Sequence, residues 1–94
     1  MEIHLICQHL RNWKRVEDGF ETGNWVLARD TAEKAVGGKV YLHEHQKDPA
    51  WHGGRITGWR ESPEPGRLVL TYSLDGHFRV TCDENWGREM AIIP

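Results

Sequence analysis

The chain has little cysteine, no excess of positive charge and no long apolar run. It contains two cysteines in 94 residues, and 12 Lys and Arg stand against 14 Asp and Glu, for a net charge of −2. Two cysteines do not make a disulfide framework, and the charge argues against tight, sequence-independent binding to a duplex. No stretch is apolar for long enough to cross a bilayer or act as a signal peptide. We therefore expect a cytoplasmic protein without a membrane partner.

Hydrophobic residues make up only 38% of the chain, but five tryptophans, two tyrosines and two phenylalanines partly compensate for this. Residues 1–94 are too few for two domains, so we expect a single domain with a small core built around rings. Cys7 and Cys82 each lie in an apolar, strand-like run. Buried free thiols are expected at both positions.

Tryptophan, histidine and glycine are concentrated in the segment 23–59. It holds three of the five tryptophans and three of the six histidines: Trp25, Trp51, Trp59, His43, His45 and His52. Glycine lets backbones approach closely, and large rings supply stacking faces, so this mixture is typical of a pocket for a flat ligand. Each tryptophan also fits a position in the core.

Hydrophobic alternation and turn residues predict about six short strands and one or two short helices. Asp30 is the predicted N-cap of the clearest helix, with Glu33 completing a capping box and Gly37 ending it. Other segments have the following predictions: strands at 3–7, 25–28, 39–45, 55–60, 68–74, 78–82 and 89–93, a helix or turn at 9–16, and a loop at 17–23. The strands 68–74 and 78–82 are expected to form a hairpin around Asp75 and Gly76, and Gly58 is a predicted bulge.

The order of these features resembles the PUA-like superfamily, especially its EVE and YTH branches. The resemblance covers about residues 20–62 and rests on Gly23-Asn24-Trp25 before a short helix, GGKVYLH at 37–43, a loop, and GGRITGW at 53–59. It implies an α+β fold, a small PUA-like β-barrel with helices packed outside. It also implies a non-enzymatic module that binds RNA or DNA, reading a modified base through an aromatic pocket.

The resemblance assigns roles to several residues in segment 23–59. Trp25 would line the pocket, Trp51 would form a mobile wall, and His43 and His45 would donate or accept hydrogen bonds. Arg55 and Arg60 flank the glycine-rich loop and strand and are the cations expected near a phosphate. The full set of candidate ligand-binding residues is Trp25, His43, His45, Trp51, His52 and Arg55. No cofactor is expected, and no nucleophile elbow, phosphate loop or helical metal motif is present.

Two alternatives remain open from the sequence. The Trp51 loop fits a hot spot that binds a partner protein. His43 and His45, two apart on a predicted strand, point the same way and would form a metal or enzyme site if His52 joined them.

Overall fold

A computed structural model describes all residues, 1–94, and contains seven β-strands and one short α-helix. The elements in chain order are β1 Glu2–Ile6, β2 Trp13–Val16, β3 Gly19–Trp25, α1 Arg29–Ala35, β4 Lys39–His43, β5 His52–Glu61, β6 Leu68–Leu74 and β7 Met90–Ile93. No helix in the structure is long and apolar enough to span a membrane.

All seven strands form one sheet in the order β2-β3-β6-β5-β4-β1-β7. The sheet is strongly curved, because the Trp13 ring on β2 lies 5.5 Å from the His52 ring on β5, three strands away. In a flat sheet those strands would be about 14 Å apart. The predicted α+β class agrees with this architecture, and the predicted small barrel agrees only roughly, because the sheet does not close and β2 and β7 remain its edges.

β1 occupies an interior position, parallel to β4 and antiparallel to β7. Its alternate residues Ile3 and Leu5 belong to the hydrophobic core and are fully buried, and His4 between them is buried as well. The concave side of the sheet encloses the core, whose largest apolar members are Ile3, Leu5, Leu42, Ile56, Leu70 and Tyr72. β1 therefore runs through the middle of the molecule and delivers residues 7–12 to one end of it.

The helix was predicted in the right place, but its cap was not. Its N-cap is Ala28, which makes no side-chain capping bond, and Asp30 lies in the first turn, where a carboxylate favours the positive end of the helix dipole. Gly37 ends the helix with φ of 90°, as expected for a left-handed terminating glycine. Its N–H donates to the carbonyl of Ile56, which ties the helix end to β5.

The predicted helix or turn at 9–16 is confirmed as a turn at 9–12, and the predicted loop at 17–23 is confirmed at 17–18, but the residues that follow each of these are strands. β2 and β3 form a hairpin there, with Lys14 opposite Glu21 and Arg15 opposite Phe20. Helical spacing is present at Leu10, Trp13 and Val16. However, the backbone of Asn12 is in the left-handed region, with φ of 55°. A helix cannot continue through a left-handed residue, so the second part of the segment extends as a strand.

The predicted hairpin between 68–74 and 78–82 was also wrong. β6 pairs with β3 on one side and β5 on the other, so Tyr72 lies opposite both Phe20 and Ile56 and no edge is left for a third partner. Residues 78–82 run without strand structure. The bulge predicted at Gly58 is confirmed by the register shift between Ile56 and Gly58.

Gly54 is required by the packing of strands rather than by a ligand. A Cβ at this position would lie 1.8 Å from the carbonyl oxygen of Ser73 on β6. At Gly76 a Cβ would meet nothing within 4 Å. The two glycines thus provide a matched pair for testing the close approach of β5 and β6.

We predict that Gly54→Ala lowers the free energy of unfolding by about 2–3 kcal/mol, because neighbouring backbone must move. Gly76→Ala should change it by less than about 0.5 kcal/mol. Urea denaturation followed by circular dichroism measures both. Equal stability of the two variants would contradict the β5–β6 packing.

Candidate functional site

A cavity of about 740 Å³ opens where β1 and β3 end. One wall is the loop 8–12 that follows β1, and the facing wall is the end of β3, from Gly23 to Trp25. Glu64, Arg67 and Glu89 complete the rim. Only three of the twelve lining residues are hydrophobic, so the cavity is a polar one with a single large ring, the indole of Trp25. Its volume lies within the usual range for small-molecule sites.

The loop 8–12 has an unusual backbone. His9, Leu10 and Asn12 all have φ of 55–57°, in the left-handed region. That conformation costs a non-glycine residue about 1–2 kcal/mol, less for Asn, so the fold must hold it in place. Two hydrogen bonds close the loop into a tight turn: the N–H of Arg11 donates to the Gln8 carbonyl, and that of Trp13 donates to the Leu10 carbonyl.

The Cys7 peptide fixes the start of this loop. Its N–H donates to the carbonyl of His43 at 2.9 Å, and its carbonyl accepts the indole N–H of Trp51 at 3.1 Å. Both groups are thus satisfied from β4 and from the loop that follows it. Burial raises the pKa of the Cys7 thiol to about 11, so the sulfur is protonated at neutral pH and is not a thiolate nucleophile.

A bulge in β3 shapes the second wall. The β3–β6 register shifts between Thr22 and Trp25, which frees the backbone of Gly23 and Asn24 from the ladder. The N–H of Gly23 then donates to the carbonyl of Asn12 and joins the two walls. Trp25 is only 5% exposed, and its indole N–H already donates to Thr22 Oγ1. Its ring therefore presents apolar surface to the cavity, not a free donor.

Arg67 and Arg11 differ in their availability to a ligand. Arg67 donates to the carbonyl of Asn24 at 3.0 Å and forms an ion pair with Glu64 at 3.4 Å. The guanidinium of Arg11 makes no hydrogen bond or ion pair in the structure, and neither does the amide of Asn12. The guanidinium of Arg11 and the amide of Asn12 are therefore free to bind a ligand at the wall that loop 8–12 forms.

Of the six residues predicted to bind a ligand, the structure brings only Trp25 to this cavity. Trp51 is half-buried and packs edge-on against Trp13, with ring centroids 5.6 Å apart. It supports the cavity from behind, through its bond to the Cys7 carbonyl. Arg55 is exposed on β5 and donates to the carbonyl of Gly37.

His52 belongs to an aromatic cluster inside the curved sheet, together with Trp13, Phe20, Trp51 and Tyr72. The Tyr72 hydroxyl accepts the indole N–H of Trp13 at 2.7 Å, so its own proton is left for His52 Nδ1, also at 2.7 Å. His52 Nδ1 must then be unprotonated. Burial lowers the pKa of His52, and the nearby Arg15 lowers it further.

His43 is fully buried and lies in a chain of hydrogen bonds away from the cavity. Its Nδ1 donates to the carbonyl of Asp48, so its Nε2 accepts from His4 Nδ1 at 2.8 Å. His4 Nε2 lies 3.1 Å from the carboxylate of Glu2. Two neutral imidazoles carry two ring protons between them. All three hydrogen bonds form together only if this hydrogen-bonded series carries one proton more than that. Burial lowers the pKa of His43.

The three histidines of the metal hypothesis do not come together. β4 ends at His43, so His45 leaves the strand and is exposed, where its Nδ1 lies 3.4 Å from Gln8 Nε2. Instead, His43 forms a hydrogen bond with His4, and His52 forms one with Tyr72. No group of three His, Cys, Asp or Glu side chains in the structure has the arrangement of a metal site.

The sequence reasoning missed the polar residues of the cavity, which are Gln8, His9, Arg11, Asn12, Asn24, Glu64, Arg67 and Glu89. A run of polar residues (QHLRN, 8–12) directly after a buried strand was the available signal. Comparison with protein-family models, with curated proteins and with solved structures found no match to this chain.

The burial of His52 makes stability depend on pH. Because the folded-state pKa of His52 is lowered, the unfolded chain takes up its proton first and stability is lost as pH falls below about 6.5. Asn keeps an acceptor at the position of Nδ1 but does not titrate, so His52→Asn should reduce the proton uptake on unfolding by a fraction of one proton between about pH 7 and 5.

Urea unfolding at several pH values measures this uptake. A steeper pH dependence in His52→Asn than in the wild type would contradict the lowered pKa of the half-buried His52.

Proposed function

We propose that this protein is a non-enzymatic nucleic-acid-binding module that takes a single base into the cavity between loop 8–12 and the end of β3. The observation that carries the proposal is the composition of that cavity: one indole, several amides and guanidinium groups, and freed backbone, in about 740 Å³. A PUA-like relationship and the reading of a modified base belong to the same proposal.

The chemistry of the walls fits a base better than it fits an apolar ligand. Side-chain amides form bidentate hydrogen bonds with the edges of bases, and an indole packs on the faces of bases. Asn12 contributes an amide without a partner in the protein, while Trp25, which is 5% exposed, contributes a small apolar surface. An apolar ligand would instead leave these polar groups desolvated and unpaired.

The charge pattern supports recognition of one unstacked nucleotide and not of a long backbone. The chain carries a net charge of −2, and Glu64 and Glu89 stand on the cavity rim. Arg11 is the only lining arginine without a partner in the protein. Binding would therefore involve about one phosphate contact, and affinity would come chiefly from the base.

The alternative is a protein-interaction module that presents the Trp51 loop. It has less support, because the Trp51 indole is tied to the Cys7 carbonyl and packs against Trp13. A hot-spot ring is expected to be available to a partner.

Asn12 gives the most direct test. Asn12→Gly removes the amide, while glycine accepts the φ of 55° without cost. Affinity for single-stranded oligonucleotides, each carrying a different central base, should fall about tenfold or more for the preferred base. Fluorescence anisotropy measures it.

Asn85 is the matched control, since it is also a left-handed asparagine, with φ of 64°, and does not line the cavity. Asn85→Gly should bind as the wild type does. The proposal fails if the wild type binds no oligonucleotide of the panel, or if the two variants behave alike.

Arg11 should account for most of the salt dependence. Removing one phosphate contact lowers the slope of log K against log salt concentration by about 0.7 for a single strand. Arg11→Gln should therefore show a nearly flat salt dependence compared with the wild type in the same anisotropy assay. An unchanged slope would show that the phosphate is bound elsewhere.

A further inference from the structure

Glu89 lines the cavity with a carboxylate that has no partner in the protein. It makes no hydrogen bond or ion pair through its side chain, whereas the other lining carboxylate, Glu64, pairs with Arg67 at 3.4 Å. The backbone of Glu89 is held by β1, because its carbonyl accepts the N–H of Ile6 at 2.9 Å. The carboxylate therefore belongs to the end of β1, close to the start of loop 8–12.

Asn12 lies at the other end of the same loop. Its carbonyl accepts the Gly23 N–H at 3.0 Å, its side-chain amide has no partner in the protein, and it also lines the cavity. Loop 8–12 is thus flanked by an acceptor that is free to bind, at Glu89, and by a donor that is free to bind, at Asn12. A ligand that uses both must present donors at one place and an acceptor at another.

A carboxylate in a base-binding cavity restricts which base can enter. It accepts hydrogen bonds and donates none, and it repels nearby phosphates, so it contributes to binding only where the base offers donors. Guanine has two adjacent donors, N1–H and the N2 amino group, with the acceptor O6 next to N1–H. Adenine and cytosine place a ring-nitrogen acceptor beside the amino group, and thymine and uracil have one N–H between two carbonyl oxygens.

We propose that the cavity is selective for guanine, with the carboxylate of Glu89 accepting from N1–H and the N2 amino group and the amide of Asn12 donating to O6. This inference rests on the proposed function and names the base that the cavity takes. The charges of the site agree with it. The base uses the unpartnered carboxylate, and Arg11 is left for the single phosphate contact.

Hypoxanthine isolates the contribution of the N2 amino group, because it is guanine without that group. The probes are short single strands with identical flanks and one central base, which is guanine, hypoxanthine, adenine, cytosine or thymine. Fluorescence anisotropy measures the affinity for each strand. The wild type should bind the guanine strand about tenfold or more tightly than any of the other four.

Glu89→Gln changes the hydrogen-bonding pattern at the same position. Glutamine keeps one acceptor and adds a donor, a combination that matches adenine and opposes the N2 amino group of guanine. The ratio of the guanine affinity to the adenine affinity should therefore fall about tenfold or more, and the preference for guanine over hypoxanthine should be lost. A ratio within one variant cancels the general effect of removing a negative charge from the cavity.

Glu17→Gln is the matched control. Glu17 is exposed, makes no ion pair and lies in the turn between β2 and β3, at the opposite end of that hairpin from Asn12 and Gly23. This variant removes the same charge from the protein, and its affinity ratios should equal those of the wild type. Circular dichroism confirms that both variants are folded.

The selectivity is overturned if the wild type binds another base more tightly than guanine or binds all five strands equally. The role of Glu89 is overturned if the wild type does not distinguish guanine from hypoxanthine, or if Glu89→Gln keeps the wild-type ratios. In these cases the wild type still binds single strands, so the proposed function stands without the selectivity. If the wild type binds none of the strands, the proposed function itself fails and the selectivity falls with it.

Discussion

The two hydrogen bonds of the Cys7 peptide are the constraint on which the candidate site depends. The N–H is held by the His43 carbonyl and the carbonyl by the Trp51 indole. They fix the direction in which the chain leaves β1, so the left-handed turn at 8–12 has to face the end of β3. The polar cavity lies between the ends of β1 and β3, and the Gly23 N–H joins its two walls by donating to the Asn12 carbonyl. Trp51, the tryptophan of the glycine-rich loop, therefore supports the site through its hydrogen bond to the Cys7 carbonyl.

Much of the fold could be predicted from local patterns. Alternating residues indicated β1, β4 and β7, paired glycines indicated the end of α1, and Gly58 indicated the bulge in β5. The β2–β3 hairpin could not be predicted, since it depends on the left-handed conformation at Asn12. The absence of a strand at 78–82 depends on β6 having both edges already occupied, which is a property of the whole sheet and not of any segment.

The candidate site was harder to predict than the fold. Trp25 was identified because it is a large ring beside a glycine, and it does line the cavity. His43 and Trp51 have the same kind of local signal, but the curvature of the sheet turns them into the interior. Arg11 and Asn12 lie in a turn, where side chains follow no period, so the polar run after β1 was the one signal for them and it is a weak one. Only the three-dimensional meeting of β1 and β3 selects them.

The central claim is that a base is bound between loop 8–12 and the end of β3. A ¹⁵N heteronuclear NMR titration with a short single-stranded oligonucleotide tests it most directly, because it reports every amide and indole N–H separately. The account predicts that the largest shifts fall on the side-chain amides of Asn12 and Asn24 and on the indole N–H of Trp25. Shifts confined to the surface around Arg55 and His45, or no shifts at all, would contradict it.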